Sequence, residues 1–207
     1  MRVQFLTLLL LTLTACGQTK NNSQQTAKNL IVDTSQSQTK NMSDHTPTIE
    51  KANPVAKQLM KEEFYWSPIE ETAPFGSDDG ADTYAGFANW RETHKAVNPK
   101  VFLKDQIDSW GYPTFDLNET NFDKLKTYLQ QSDLGTRYMS GIDAAIVAVA
   151  FGQLYLEGTI DKDFKELAKT SISRELIPEM LNLWGDTYKT IRETQLKKML
   201  AVLNQVN

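Results

Sequence analysis

Residues 142–157 read IDAAIVAVAFGQLYLE, and this stretch decides the fold. From Ala144 to Phe151 every residue is apolar or small, so a helix here is apolar on every side. A helix of that kind is buried all round, at the centre of a domain. Eight such residues are too few for a bilayer span, which needs about 20. Gly158 ends the helix, and Asp161 caps the next, which runs to about Ser173.

Working outward, helices dominate. Pro54 suits the first turn of a helix over 55–63, followed by Phe64-Tyr65-Trp66 and a loop to Asp79. A helix starts near Gly80 or Ala81 and runs to about Lys95. Pro99 to Trp110 fits a helix better than a strand, and Gly111-Tyr112-Pro113 ends it. Asn118 to Phe122 opens another, with Phe122, Leu125, Tyr128 and Leu129 on one face. Pro178 marks a boundary before a short helix ending at Trp184-Gly185. The last amphipathic helix carries Tyr188, Ile191, Gln195, Met199 and Leu203, with Leu196 and Leu200 beside them. The expectation is a mainly α, single compact domain over 51–207. It has about six to seven helices around the buried Ala-rich helix. The sole β alternative is a short hairpin of Phe64–Trp66 with Val101–Leu103.

The first residues carry a different signal. Arg2 precedes an apolar run from Phe5 to Leu13, then Leu13-Thr14-Ala15-Cys16. A charged start, a short apolar run and small residues before a cut describe a secretory signal. Leu-Thr-Ala-Cys resembles the bacterial lipobox. That resemblance implies a signal peptide over 1–15, cleavage after Ala15 and lipid on Cys16 Sγ, with acylation of the new amino terminus. Cys16 is the one cysteine in the chain, so an exported domain has no disulfide to form or misform. Several acyl chains give stable membrane anchoring, which a single chain does not. The expected location is the cell envelope, and the outer membrane in a Gram-negative host, because Gly17 follows the cysteine rather than an inner-membrane-type Asp. Residues 17–50 contain 19 Ser, Thr, Asn or Gln among 34 and no aromatic residue. Such composition cannot offset its own ordering entropy, so 16–50 is expected to be a lipidated, disordered polar tether.

Composition limits the function. The net charge is −4 and charged residues are 23%, which excludes a basic nucleic-acid binder. One cysteine and two histidines cannot build a Cys/His zinc site. Neither G-x-G-x-x-G nor G-x-x-x-x-G-K-[ST] occurs, so no cofactor is expected. No G-x-S-x-G elbow is present, and His94 reads as a polar residue near a helix C-terminus. Trp90, Trp110 and Trp184 read as core or core-edge residues.

The one chemical candidate is the passage 66–83, WSPIEETAPFGSDDGADT. Glu70, Glu71, Asp78, Asp79 and Asp82 place five carboxylates in thirteen residues, beside Trp66 and Phe75. Three readings compete. Ser77, Asp78 or Asp79 is the N-cap of the following helix, with acids in its first turn. Alternatively Asp78, Asp79 and Asp82 hold a divalent cation, although the spacing fails the EF-hand pattern, with Gly80 at position three and Asn89 at twelve. Or Glu70 or Glu71 pairs with Asp78, Asp79 or Asp82 for carboxylate catalysis on an envelope glycan, with Trp66 or Trp90 as sugar platform.

Two passages also carry a resemblance. Phe64-Tyr65-Trp66 with Pro74 to Thr83, and Ile142 to Gln153 with Glu157 to Asp161, resemble the uncharacterised bacterial YfeS-like family. The likeness covers about 62–205. The F-x-x-D-x-x-x-D pattern of Phe75, Asp78 and Asp82, ahead of an Ala-rich helix, is similar to other small helical families, some near toxin–immunity loci. The resemblance implies an α-helical fold and no established activity. The functional expectation is a membrane-anchored binding module of the envelope with a protein partner, one version being an immunity-like protein that binds an incoming effector. The alternative is an envelope hydrolase or cation site at Glu70–Asp82.

Overall fold

A computed structural model describes residues 45–206. The expected signal peptide, the expected lipidation site Cys16 and the expected tether up to residue 44 lie outside the described residues. The described residues belong to one compact unit, Thr39–Asn207. Its helices are α1 (Pro54–Leu59), α2 (Asp78–Thr93), α3 (Pro99–Trp110), α4 (Phe122–Leu129), α5 (Gly135–Glu157), α6 (Lys162–Glu175), α7 (Pro178–Leu181) and α8 (Gly185–Gln205). No strand forms among the described residues. Phe64–Trp66 lies in a 3-10 turn, Glu63–Trp66, and Val101–Leu103 lies inside α3, so the hairpin alternative is not realised.

The Ala-rich helix is the axis of the domain. Every residue from Ala145 to Tyr155 on α5 is buried. Full burial of one residue such as Ile146, Phe151 or Leu154 is worth about 1.5–3 kcal/mol. α5 begins at Gly135, a good turn and more before Ile142, which makes it long and apolar enough to cross a membrane. Yet 83% of its most apolar 18-residue window is buried inside the protein, as in a core helix. α2 packs against it most extensively, then α6, with α1, α3 and α4 around it, while α8 lies on α6. Gly152 sets the α2–α5 approach, because a Cβ there would meet Tyr84 Cδ2 at 2.9 Å.

Capping is local and follows the sequence. Asn53, Asn98, Asn121 and Asp161 side chains accept backbone N–H bonds from the first turns of α1, α3, α4 and α6. Pro54 and Pro99 occupy the first helical positions, where no N–H is needed. Gly158 closes α5 at φ 76°, a left-handed conformation natural to glycine.

Residues just before 51 also contact α5. The Tyr155 hydroxyl donates to Thr48 O at 3.2 Å and accepts from Thr48 N at 3.3 Å. Asn53 N donates to Tyr155 O at 2.8 Å, and Pro47 is buried. On α8 the inward face also differs from the expected stripe. Tyr188 and Ile191 are exposed. The first half of α8 instead turns Arg192 inward, where an acid on α6 holds it, and Gln195, Leu196, Met199 and Leu203 continue that face.

Candidate functional site

The acidic passage is divided by its own turns. Ser77 is the N-cap of α2, and its Oγ accepts from Gly80 N at 3.1 Å. Asp78 and Asp79 follow in the first turn, where carboxylates complement the helix dipole. Phe75 is buried against Tyr84 and Tyr155, with ring centroids 4.8 and 6.4 Å away, which anchors the loop. Glu70 turns aside: its Oε1 accepts from Thr72 Oγ1 at 2.7 Å, and it shares a shallow surface hollow with Trp66 and Ile69. Asp82 is exposed one turn along α2.

Asp79 is taken by Arg137 of α5. Arg137 Nη2 lies 2.9 Å from Asp79 Oδ1, and Nη1 contacts Oδ2, a two-pronged pair. The Asp79 carboxylate pushes the Arg137 guanidinium above its ordinary pKa. Among the described residues no group of three or more His, Cys, Asp or Glu side chains converges as a metal ion would require. Asp78, Asp79 and Asp82 are therefore three acids on one helix end, with one of them already paired.

Glu71, Asp78 and Asp79 nevertheless border a recess. It consists of two adjoining cavities of about 200 and 300 Å³ that share Glu71, Ser140, Glu175 and Trp184. The smaller also touches Arg137 and Arg192. The larger has apolar walls of Leu129, Met139, Met180 and Leu183. Glu71 has no hydrogen-bond or ion-pair partner among the described residues, and it lies at the exposed rim.

Behind the recess lies a buried ionic network that sequence reasoning missed. Arg192 of α8 donates to Glu175 from Nε at 3.0 Å and from Nη2 at 2.7 Å, and Nη1 donates to Thr72 O at 2.9 Å. Its guanidinium lies 4.9 Å from the centre of the Trp184 ring. Arg174 is fully buried; its Nε donates to Asp143 Oδ2 at 3.2 Å, and Nη2 contacts Oδ1. Ser171 Oγ donates to Asp143 Oδ1 at 2.8 Å. Burial pushes the Glu175 carboxyl upward, against the smaller downward pull of Arg192. One signal was present: Asp143 stands directly before the all-apolar run from Ala144, and a buried carboxylate needs a partner. Nothing local identified that partner as Arg174.

In this arrangement the buried carboxylates are engaged by their neighbours. A general acid must be able to release its proton to a substrate. Both Glu175 oxygens are held by Arg192, and both Asp143 oxygens by Arg174 and Ser171. His94 is elsewhere, stacked on Trp90 with centroids 4.6 Å apart and planes 1° from parallel, with Nδ1 2.9 Å from Trp90 O.

The chain is similar to the uncharacterised protein YfeS of Escherichia coli strain K12, at 25% identity over 118 residues. The aligned part is 56% of this chain and 47% of YfeS, so the chain spans about half the length of the curated relative it matches. This supports the YfeS-like resemblance read from the two passages. No protein-family model matches the chain. No solved structure matches it.

Proposed function

We propose that this chain is a lipid-anchored protein of the cell envelope that works by binding, with the recess beside Glu71 and Trp184 as its contact site. The lipobox residues Leu13 to Cys16 support the anchor. The observation that carries the binding reading is the recess itself. Its inner charges are fixed in pairs before any ligand arrives, so little reordering opposes association. Glu71 at the rim is unpaired, and Trp184 and Leu183 offer apolar surface beside it. The partner that fits is a protein presenting a basic group next to an apolar one, and an incoming effector is one such protein.

Two experiments test this reading. Metabolic labelling with an alkyne palmitate should mark the wild-type chain and leave Cys16→Ala unmarked; equal labelling of both removes the anchor. A photo-crosslinking residue placed in cells at Leu183 should give a discrete adduct that the same residue at Val101, on α3, does not. The absence of an adduct at Leu183, or identical adducts at both positions, sinks the binding assignment.

A further inference from the structure

A larger cavity than this recess lies elsewhere in the domain. It is a groove of about 570 Å³ between α3 and the segment 112–118. That segment has no regular structure, yet it is pinned. Arg174 Nη1 donates to Leu117 O at 3.1 Å and to Glu119 O at 2.9 Å, and the guanidinium lies 4.9 Å from the Phe115 ring centre. Tyr128 Oη donates to Pro113 O at 3.2 Å. The segment therefore stands off α3 as a wall fixed by these contacts.

Its floor is core. Leu103, Ile142 and Leu167 line it and are themselves 1%, 1% and 5% exposed, and Ile107, Phe115 and Leu117 form the sides. Its rim is cationic. Lys100 and Lys104 stand there with one acid, Asp108. Lys104 is paired with Asp108 one turn on, whereas the Lys100 ammonium has no hydrogen-bond or ion-pair partner among the described residues. An apolar slot that reaches the core and ends at an unpaired ammonium complements a long apolar tail with one anionic head. At about 27 Å³ per methylene, close to the ~30 Å³ share of a water molecule, a twelve- to sixteen-carbon chain needs roughly 320–430 Å³. The groove holds that and leaves room for a headgroup.

We infer that this groove binds a single-chain carboxylate amphiphile, a long-chain fatty acid, with its tail along Leu103, Ile107 and Phe115 and its carboxylate at Lys100. The site is separate from the recess beside Glu71 and does not depend on it. A free carboxylate on a twelve-carbon chain gains both the apolar burial and the ion pair; the matching quaternary ammonium gains only the former and meets the Lys100 charge.

The test uses the full chain carrying Cys16→Ser, so that no attached acyl chain competes. Dodecanoate and dodecyltrimethylammonium, each below its micelle concentration, are titrated by calorimetry. Dodecanoate should bind at least tenfold more tightly. Lys100→Glu should reverse that order. Ile107→Trp, which fills the groove from a half-buried position, should abolish dodecanoate binding while circular dichroism and the melting temperature show a folded domain. If Ile107→Trp unfolds the chain, Thr114→Trp at the exposed wall serves instead. Equal affinity for the two headgroups, no binding of dodecanoate, or binding that survives the groove-filling variant overturns the inference.

Discussion

The Asp143–Arg174 pair offers a sharp test of how the core is built. Asp143→Ala leaves the Arg174 guanidinium with two backbone carbonyls and the Phe115 ring but no carboxylate bonded to it, at a position fully shielded from water. Removing one partner of a buried pair costs about 3–5 kcal/mol, because the other charge stays behind. Arg174→Met strands Asp143 with Ser171 alone and deprives the Leu117 and Glu119 carbonyls of a donor, for a similar or larger loss. The double variant buries no charge. It lacks the Ser171 acceptor and the donor to two carbonyls, at about 1 kcal/mol each, so roughly 3 kcal/mol in total. Simple addition of the single variants would give at least ~6 kcal/mol, so the cycle should show a coupling of about 3 kcal/mol. Equilibrium urea unfolding of the full chain, followed by tryptophan fluorescence at constant m-value, measures all four species. If the double variant loses the sum of the singles, or Asp143→Ala loses less than about 1 kcal/mol, the pair does not carry the burial described above.

Three further outcomes follow from the geometry. Ser77→Ala should cost about 1 kcal/mol in the same unfolding assay through loss of the α2 cap, while Asp82→Ala should stay within about 0.5 kcal/mol. Gly158→Ala should destabilise by more than 1 kcal/mol, roughly the cost of a left-handed non-glycine residue, because φ is 76° and the new Cβ would collide with the Asn53 side chain that caps α1. Burial raises the Tyr65, Tyr84 and Tyr128 phenols above the ordinary tyrosine value. The folded state therefore holds these protons more tightly than the unfolded chain, and stability should fall as pH climbs past that ordinary value. Absorbance at 295 nm should accordingly show these three of the seven tyrosines ionising only together with unfolding; their titration while circular dichroism stays native would contradict the packing.

What the sequence made legible was local. Asn121, Asp161 and Gly158 act within four residues of themselves, so their roles as caps and stops follow from residue type and position. The all-apolar face of α5 needed no partner to be identified, since every direction around it had to be buried. The networks were illegible for the opposite reason. Asp143 finds Arg174 31 residues away, and Arg192 finds Glu175 17 residues away, through the packing of α5, α6 and α8. Tyr188 and Ile191 fit an apolar stripe by spacing, yet both are exposed while Arg192 turns inward to Glu175, a pairing that periodicity does not contain. Trp184 read as core edge lies at a recess, and only the fold could place Glu71 beside it. The groove under Lys100 was invisible, because its far wall is an irregular segment held by an arginine 57 residues from its contact at Leu117.

The Tyr155 hydroxyl grips the Thr48 backbone on both its N–H and its C=O. Thr48 is thereby held at the C-terminal end of α5. The recess lies around Arg137, Ser140 and Asp143, toward the opposite end of the same rod. Fifteen helical residues separate Ser140 from Tyr155, about 22 Å at 1.5 Å per residue. The backbone contact at Thr48 and the recess with Glu71 and Trp184 are thus fixed at the two ends of one rigid rod, so neither crowds the other.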